Sequence, residues 1–280
     1  MNRREFIQTG LSAAAVGAAG TVSYAASSKK LPFALQINSV AGFARKDFNG
    51  TMKRIADLGF QAVEFAGYYG KSPDFLRKGI EDAGMQTVGT HLGIQDLLGK
   101  KYKETVEFNK ILGNAFLVIG HGLDQANKID IANQMTAWLV NELATKAKCD
   151  GMFVAYHPHA VDFAIVNKTT AWDLFFSRTS DDVLMQMDVA NSIEGKADPI
   201  ASMKKFPAKN RIVHLKASGP DGSTVCGPLD QVDWKALFDF TENTVKSEWY
   251  ILEQYPKKGE DAFAAVQESV NQFKKMGKMA

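Results

Sequence analysis

All five histidines of the chain, His91, His121, His157, His159 and His214, stand at or just beyond the ends of short apolar runs. Acidic residues close other runs in the same way, in Val63-Glu64-Phe65, Gln186-Met187-Asp188 and Ile251-Leu252-Glu253. Any one such residue is most simply a hydrogen-bonded structural group or a solvated rim residue. The set says more than its members. Chance does not place every histidine at the same relative position, and a carboxylate within an apolar run is costly unless it is paired or bound to a cation. Neutral imidazole with carboxylate and no thiolate is a donor set for one divalent ion such as Mn²⁺, Zn²⁺, Co²⁺ or Fe²⁺. The expected ligands are His157, Asp188, His214 and Glu253, which close four consecutive runs. His159 competes with His157 for this role, because residues two apart in a strand face the same side.

These groups act together only if the elements that carry them bring the run ends side by side. From Phe33 onward the expected strands are Phe33–Ser39, Ala62–Gly67, Thr87–Leu92, Phe116–His121, Met152–His157, Leu184–Val189, Ile212–Lys216 and Trp249–Gln254. Apolar residues at three- and four-residue spacing predict helices between them over Thr51–Leu58, Pro73–Ala83, Tyr102–Leu112, Ile129–Lys148 and Trp234–Val245, with a shorter one near Asp198–Phe206. Strictly alternating strand and helix argues for βα units around a parallel sheet. Eight units over residues 31–280 predict a (β/α)8 TIM barrel, a fold of about 250 residues, with an open doubly wound sheet as the competing arrangement. In such a barrel the carboxyl ends of the strands form one mouth, where active sites are built. Four consecutive strand ends then make an arc that converges on a single ion.

Residues 1–30 read as an address rather than as fold. Arg3-Arg4 precede Phe6-Ile7, and an uncharged Gly/Ala-rich stretch runs from Gly10 to Ala26. That pattern predicts a twin-arginine (Tat) signal peptide with the mature chain starting near Ala26, hence an exported, periplasmic protein. The apolar stretch falls short of the roughly 20 strongly apolar residues of a membrane span, so no stable membrane insertion is expected.

Charge and cysteine content narrow the partners. With 33 Lys+Arg against 31 Asp+Glu the net charge is +2, which argues against a nucleic-acid partner and for a small, roughly neutral one. Cys149 and Cys226 are too few for a disulfide scaffold or a thiolate metal site; they are either buried and reduced or joined in one bridge. Nothing in the sequence sets an oligomeric state.

Tyr156-His157-Pro158-His159, Gln186-Met187-Asp188-Val189, Val213-His214-Leu215-Lys216 and Leu252-Glu253 resemble, in order and spacing, the strand-five to strand-eight motifs of the xylose isomerase-like sugar phosphate isomerase/epimerase barrels. The resemblance spans Leu31 to about Met276. It implies a divalent metal at the strand ends that binds the oxygens of a carbohydrate substrate. Polarising a carbonyl acidifies the adjacent C–H, and a base then takes that proton. Reprotonation elsewhere isomerises or epimerises the sugar, whereas loss of a β leaving group eliminates.

Two positions depart from the family pattern. Many epimerases of the family carry a Glu on strand five where this chain has His157, which argues against a symmetric two-base epimerase. The strand-seven motif commonly continues with Asp after Lys, and here Ala217 follows Lys216. No Gly-rich phosphate loop follows a strand, so a free or oxidised sugar or a glycoside fits better than a sugar phosphate. Exported members of the family resemble enzymes of elimination or hydration on 3-keto-glycosides.

The reading is therefore a metal-dependent isomerase or lyase. Glu253 doubles as ligand and proton acceptor, His91, His121 and His159 are candidate acid–base groups, and Glu64 and Lys216 orient substrate hydroxyls. Phe43, Tyr68, Tyr69 and Trp172 are candidates for stacking on a sugar ring, against the alternative of ordinary packing. The competing function is a non-catalytic periplasmic sugar-binding barrel.

Overall fold

The computed structural model describes residues 30–121, 123, 128–219, 225–228, 230–245, 247–256 and 259–280. Apart from Lys30, the expected signal peptide lies outside the described residues.

Eight strands close into a barrel: β1 (Phe33–Gln36), β2 (Ala62–Phe65), β3 (Gln86–Gly93), β4 (Phe116–His121), β5 (Phe153–Tyr156), β6 (Val183–Asp188), β7 (Ile212–Leu215) and β8 (Trp249–Leu252). Each pairs in parallel with its sequence neighbours, and β1 closes the ring against β8 through Phe33↔Tyr250 and Leu35↔Leu252. The closed barrel is the expected fold, and the open sheet is excluded. Most predicted strand boundaries fall within two residues of those observed. The first was drawn too long, because the chain leaves β1 at Ile37–Val40 as a 3₁₀ turn.

Strand periodicity builds the interior. Ala34, Ala62, Ala155, Leu184, Ile212 and Ile251 belong to one buried apolar cluster that floors the barrel. Two residues further along each strand stand Gln36, Glu64, His157, Gln186, His214 and Glu253, all buried, with Asp188 one more step beyond Gln186. A period of two therefore stacks a polar layer on an apolar one, at the carboxyl ends.

β3 breaks that period. Its pairing with β2 runs Val63↔Thr87 and then Glu64↔Gly89, so Val88 is an extra residue and the strand bulges. The bulge changes the phase: Val88 joins the floor, Thr90 points outward to Asn109, and His91 turns inward to the polar layer.

Most helices begin where the sequence offers a cap. Asp47, Ser72, Asp198, Asp233 and Asp261 each accept a backbone N–H in the first turn of the following helix. The sixth unit has two short helices, Val189–Glu194 and Pro199–Lys205, matching the short helix expected there. Between β5 and β6 lies an addition the sequence reading did not anticipate. It is a hairpin, Ile165–Val166 with Thr169–Thr170, followed by the helix Ala171–Ser177. Asn167 and Lys168 both adopt positive φ, as a tight two-residue hairpin turn requires.

Two expectations are corrected here. Trp172 is fully buried against Tyr156, Phe163 and Phe176, so it is core of this added helix and not a stacking face. Cys149 is exposed and Cys226 buried, and both are free, which rules out the bridge.

Candidate metal centre and active site

His157, Asp188, His214 and Glu253 are delivered by four adjacent strand ends and are all buried. One ligand atom from each lies within 4.8 Å of all the others. His214 Nδ1 stands 3.1 Å from Glu253 Oε2 and 4.0 Å from Asp188 Oδ2, and His157 Nε2 stands 3.9 Å from that same Asp188 oxygen. Distances of 3.9–4.0 Å are too long for hydrogen bonds, yet short enough for both atoms to reach one ion at about 2.0–2.2 Å each.

Asp188 shows the fit most directly. Its Oδ1 accepts the backbone N–H of Asn191 at 2.7 Å and caps the helix that follows, while Oδ2 is buried with no hydrogen-bond partner. A buried carboxylate oxygen without a partner is costly, and a cation is the partner that this donor set suits.

The far sides of both imidazoles are held as ligating histidines require. His214 Nε2 is 2.7 Å from Glu64 Oε2, and His157 Nδ1 is 3.0 Å from Gln186 Oε1. Donation at these atoms leaves His157 Nε2 facing the cluster with a lone pair, and His214 Nδ1 faces it as the nitrogen that must give up its proton to bind an ion. Gln186 ties the layer together, since its Nε2 donates to Glu64 Oε1 at 2.6 Å and its Oε1 also lies 2.8 Å from His91 Nε2. Gln36 Nε2 bridges Glu64 and Glu253 at 3.4 and 3.3 Å.

Protonation follows from burial and from these neighbours. Burial opposes charge on His214, but Glu64 and Glu253 on either side outweigh it and push the imidazole up to about 10. Burial would raise Glu64 and Glu253 too, and the adjacent histidines, with Lys216 beside Glu253, instead hold both well below the usual carboxylate range. His157 is driven well down by burial and by the other imidazoles, so it is a neutral donor. Asp188 is raised, chiefly by burial, because its free oxygen receives no compensating bond.

The remaining expected residues fall into two groups. Glu64 is fully buried with both oxygens already engaged, so it supports the imidazoles and does not line the cavity at the mouth. His91 likewise spends Nε2 on Gln186 and Glu64. His121 and His159 line a cavity of about 190 Å³ together with Gln36, Asn38, His91, His157, Glu253 and Tyr255. His159 sits beside His157, ring edge to face at 5.5 Å. Lys216 Nζ reaches Glu253 Oε1 at 3.4 Å and Asn191 Oδ1 at 3.2 Å.

The structure adds Gln36, Gln186 and Tyr255 to this site. The alternation that marked Glu64 and Asp188 also marks Gln36 and Gln186, each two residues beyond an apolar floor residue. Of the aromatic candidates, Phe43 packs on Phe263 and Tyr68 packs on Phe108. Tyr69 lies under Arg45, and the aromatic group at the cavity is Tyr255, whose hydroxyl accepts from Asn38.

A closed parallel barrel with imidazoles and carboxylates gathered at its carboxyl mouth is a (β/α)8 barrel with a candidate metal centre. The xylose isomerase-like TIM barrel family matches residues 52–276, and the chain belongs to that family. Among solved structures, a sugar phosphate isomerase/epimerase from Parabacteroides distasonis is similar with a TM-score of 0.77 at 20% identity, covering 89% of this chain and all of that one. An L-ribulose 3-epimerase gives 0.65 at 17% identity over 89% of this chain and 94% of its own. A probable 3-DHS dehydratase, AsbF of Bacillus anthracis, gives 0.62 at 13% identity over 86% and 98%. Likeness at these identities is a likeness of fold. No curated protein matches by sequence.

Proposed function

We propose that this chain is a divalent-metal-dependent carbohydrate enzyme that removes a proton next to a carbonyl, as a sugar isomerase or as a lyase on keto-sugars such as 3-keto-glycosides. The observation that carries the reading is the convergence of His157, Asp188, His214 and Glu253 around the unpartnered Asp188 Oδ2. A bound Mn²⁺, Zn²⁺, Co²⁺ or Fe²⁺ would supply Lewis acidity that makes the C–H beside a coordinated carbonyl acidic. The rest of the chemistry belongs to the chain. Glu253 Oε1 faces Lys216 at the edge of the site and takes the proton, and Lys216 holds a neighbouring substrate oxygen. His159 and His121, across the cavity, return a proton to the product or to its leaving group.

Membership of a family with isomerase, epimerase and dehydratase neighbours supports the reaction class. His157 in place of a second carboxylate supports a one-sided proton transfer over a symmetric epimerisation. The Arg3-Arg4 segment supports export, which subcellular fractionation of the full chain tests directly.

The deciding experiment combines elemental analysis with isotope exchange. About one metal per wild-type chain, absent from His214→Ala, with metal-dependent exchange of a substrate C–H in D₂O, is the expected result. Tight sugar binding with no exchange at any metal loading would replace the enzyme with the sugar-binding barrel.

A further inference from the structure

The helix Asp130–Cys149, which follows β4, is apolar on two sides. Its buried side packs Val140 and Leu143 together with the smaller Thr136, Ala137, Ala144 and Ala147. Three further large apolar groups point away from the barrel, with Ile131 67% exposed, Met135 67% and Trp138 64%. At i, i+4 and i+7 these three form one stripe, and a helix apolar on both faces is one that is covered on both faces. Ile129 just ahead of the helix is 61% exposed, and Ile165 on the added hairpin is 72% exposed. Asn167 of that hairpin donates to Asp130 at 2.7 Å, and Arg178 also bonds Asp130, so the hairpin is fixed to the same helix end. Five large apolar side chains on one flank reach the size, on the order of 400 Å², at which an exposed patch marks an interaction surface.

We propose that a second copy of this chain covers the stripe, with the two helices antiparallel across a two-fold axis near Met135. The charges fit a self-complementary contact. Lys128 and Glu142 are exposed and equally far from position 135 along the chain, on opposite sides of it. An antiparallel pair therefore sets each Lys128 against the partner's Glu142, twice per dimer, at the rim of an apolar centre. A stable interface buries about 800 Å² per partner, so the apolar stripe of about 400 Å² would be its centre and the polar helix and hairpin residues around it its rim. Helices of a barrel begin at its mouth end, so the dimer contact flanks the loops that carry His121 and His159.

Sedimentation equilibrium of the purified protein tests this. The expected wild type is a dimer of 30.7 kDa chains. Met135→Glu and Trp138→Arg should each be monomeric with unchanged circular dichroism. Lys128→Glu should weaken association about tenfold and the Lys128→Glu/Glu142→Lys double variant should restore it. Position is tested by oxidation with diamide. Met135→Cys should cross-link between subunits, whereas the native exposed Cys149, about 21 Å further along the helix at 1.5 Å per residue, should not. A wild type that is monomeric at about 100 μM, or a dimer that Trp138→Arg leaves intact, overturns the proposal. Flotation of a monomeric wild type with anionic vesicles would overturn it in favour of a lipid surface.

Discussion

His214 Nε2 and Glu64 Oε2 lie 2.7 Å apart, both fully buried, on strands three places apart around the barrel. Glu64 fixes the ring so that Nδ1 faces Asp188 and Glu253. Glu64→Gln keeps the shape and removes the charge. Metal affinity should fall by about 10–100-fold, as for other outer-shell partners of ligating histidines. Titration of the metal-free variant with Mn²⁺ or Co²⁺ by calorimetry checks this, and wild-type affinity would remove Glu64 from the metal site.

Asp188 separates two tasks between its two oxygens, since Oδ1 caps a helix and Oδ2 has no partner. Asn can keep the cap, at a cost within about 1 kcal/mol. It also removes a desolvated charge. Metal-free Asp188→Asn should therefore melt at or above metal-free wild type, while gaining no thermal shift when metal is added. A clear fall in the melting temperature of the metal-free variant would mean that the charge is structural.

His214 sets the pH behaviour. Its folded value of about 10 lies above the ordinary 6.5, so in the metal-free protein its stabilising contribution is complete below about 6.5 and fades as pH rises toward 10. Coordination at Nδ1 displaces a proton, so metal should bind more tightly as pH rises through this window, with proton release. Calorimetry in buffers of different ionisation enthalpy counts that proton. Affinity independent of pH from 6 to 9 would contradict the arrangement.

Gly89 and Gly120 are the spaces into which the site packs. A Cβ on Gly89 would lie 2.7 Å from Glu64 Oε1, and one on Gly120 would lie 2.9 Å from His91 Nδ1. Gly89→Ala and Gly120→Ala should each cost about 1–3 kcal/mol by overpacking. Both should also weaken metal binding by moving the hydrogen-bonded layer. Denaturant melts with parallel metal titrations measure the two effects, and neutral behaviour in both would show that the layer yields freely.

Much of this site is legible in the sequence because strand periodicity is local. Ala62 then Glu64, Ile212 then His214, and Ile251 then Glu253 show that the same face changes from apolar to polar as each strand ends. His91 was less legible, since the bulge at Val88 that turns it inward depends on how β3 pairs with β2. Trp172 misled because a large aromatic in the segment between two expected strands looks like a mouth residue until the helix Ala171–Ser177 buries it.

By itself the sequence determined the eight strands, most of the helices between them and which residues close each strand, all set by neighbours a few positions apart. Tertiary structure decided the rest. Barrel closure brings Glu64 to His214 across 150 positions and Gln186 to Glu64 across 122. Only that closure distinguishes the ligand cluster from its supporting layer, because which nitrogen of an imidazole faces a carboxylate depends on distant strands meeting in one register.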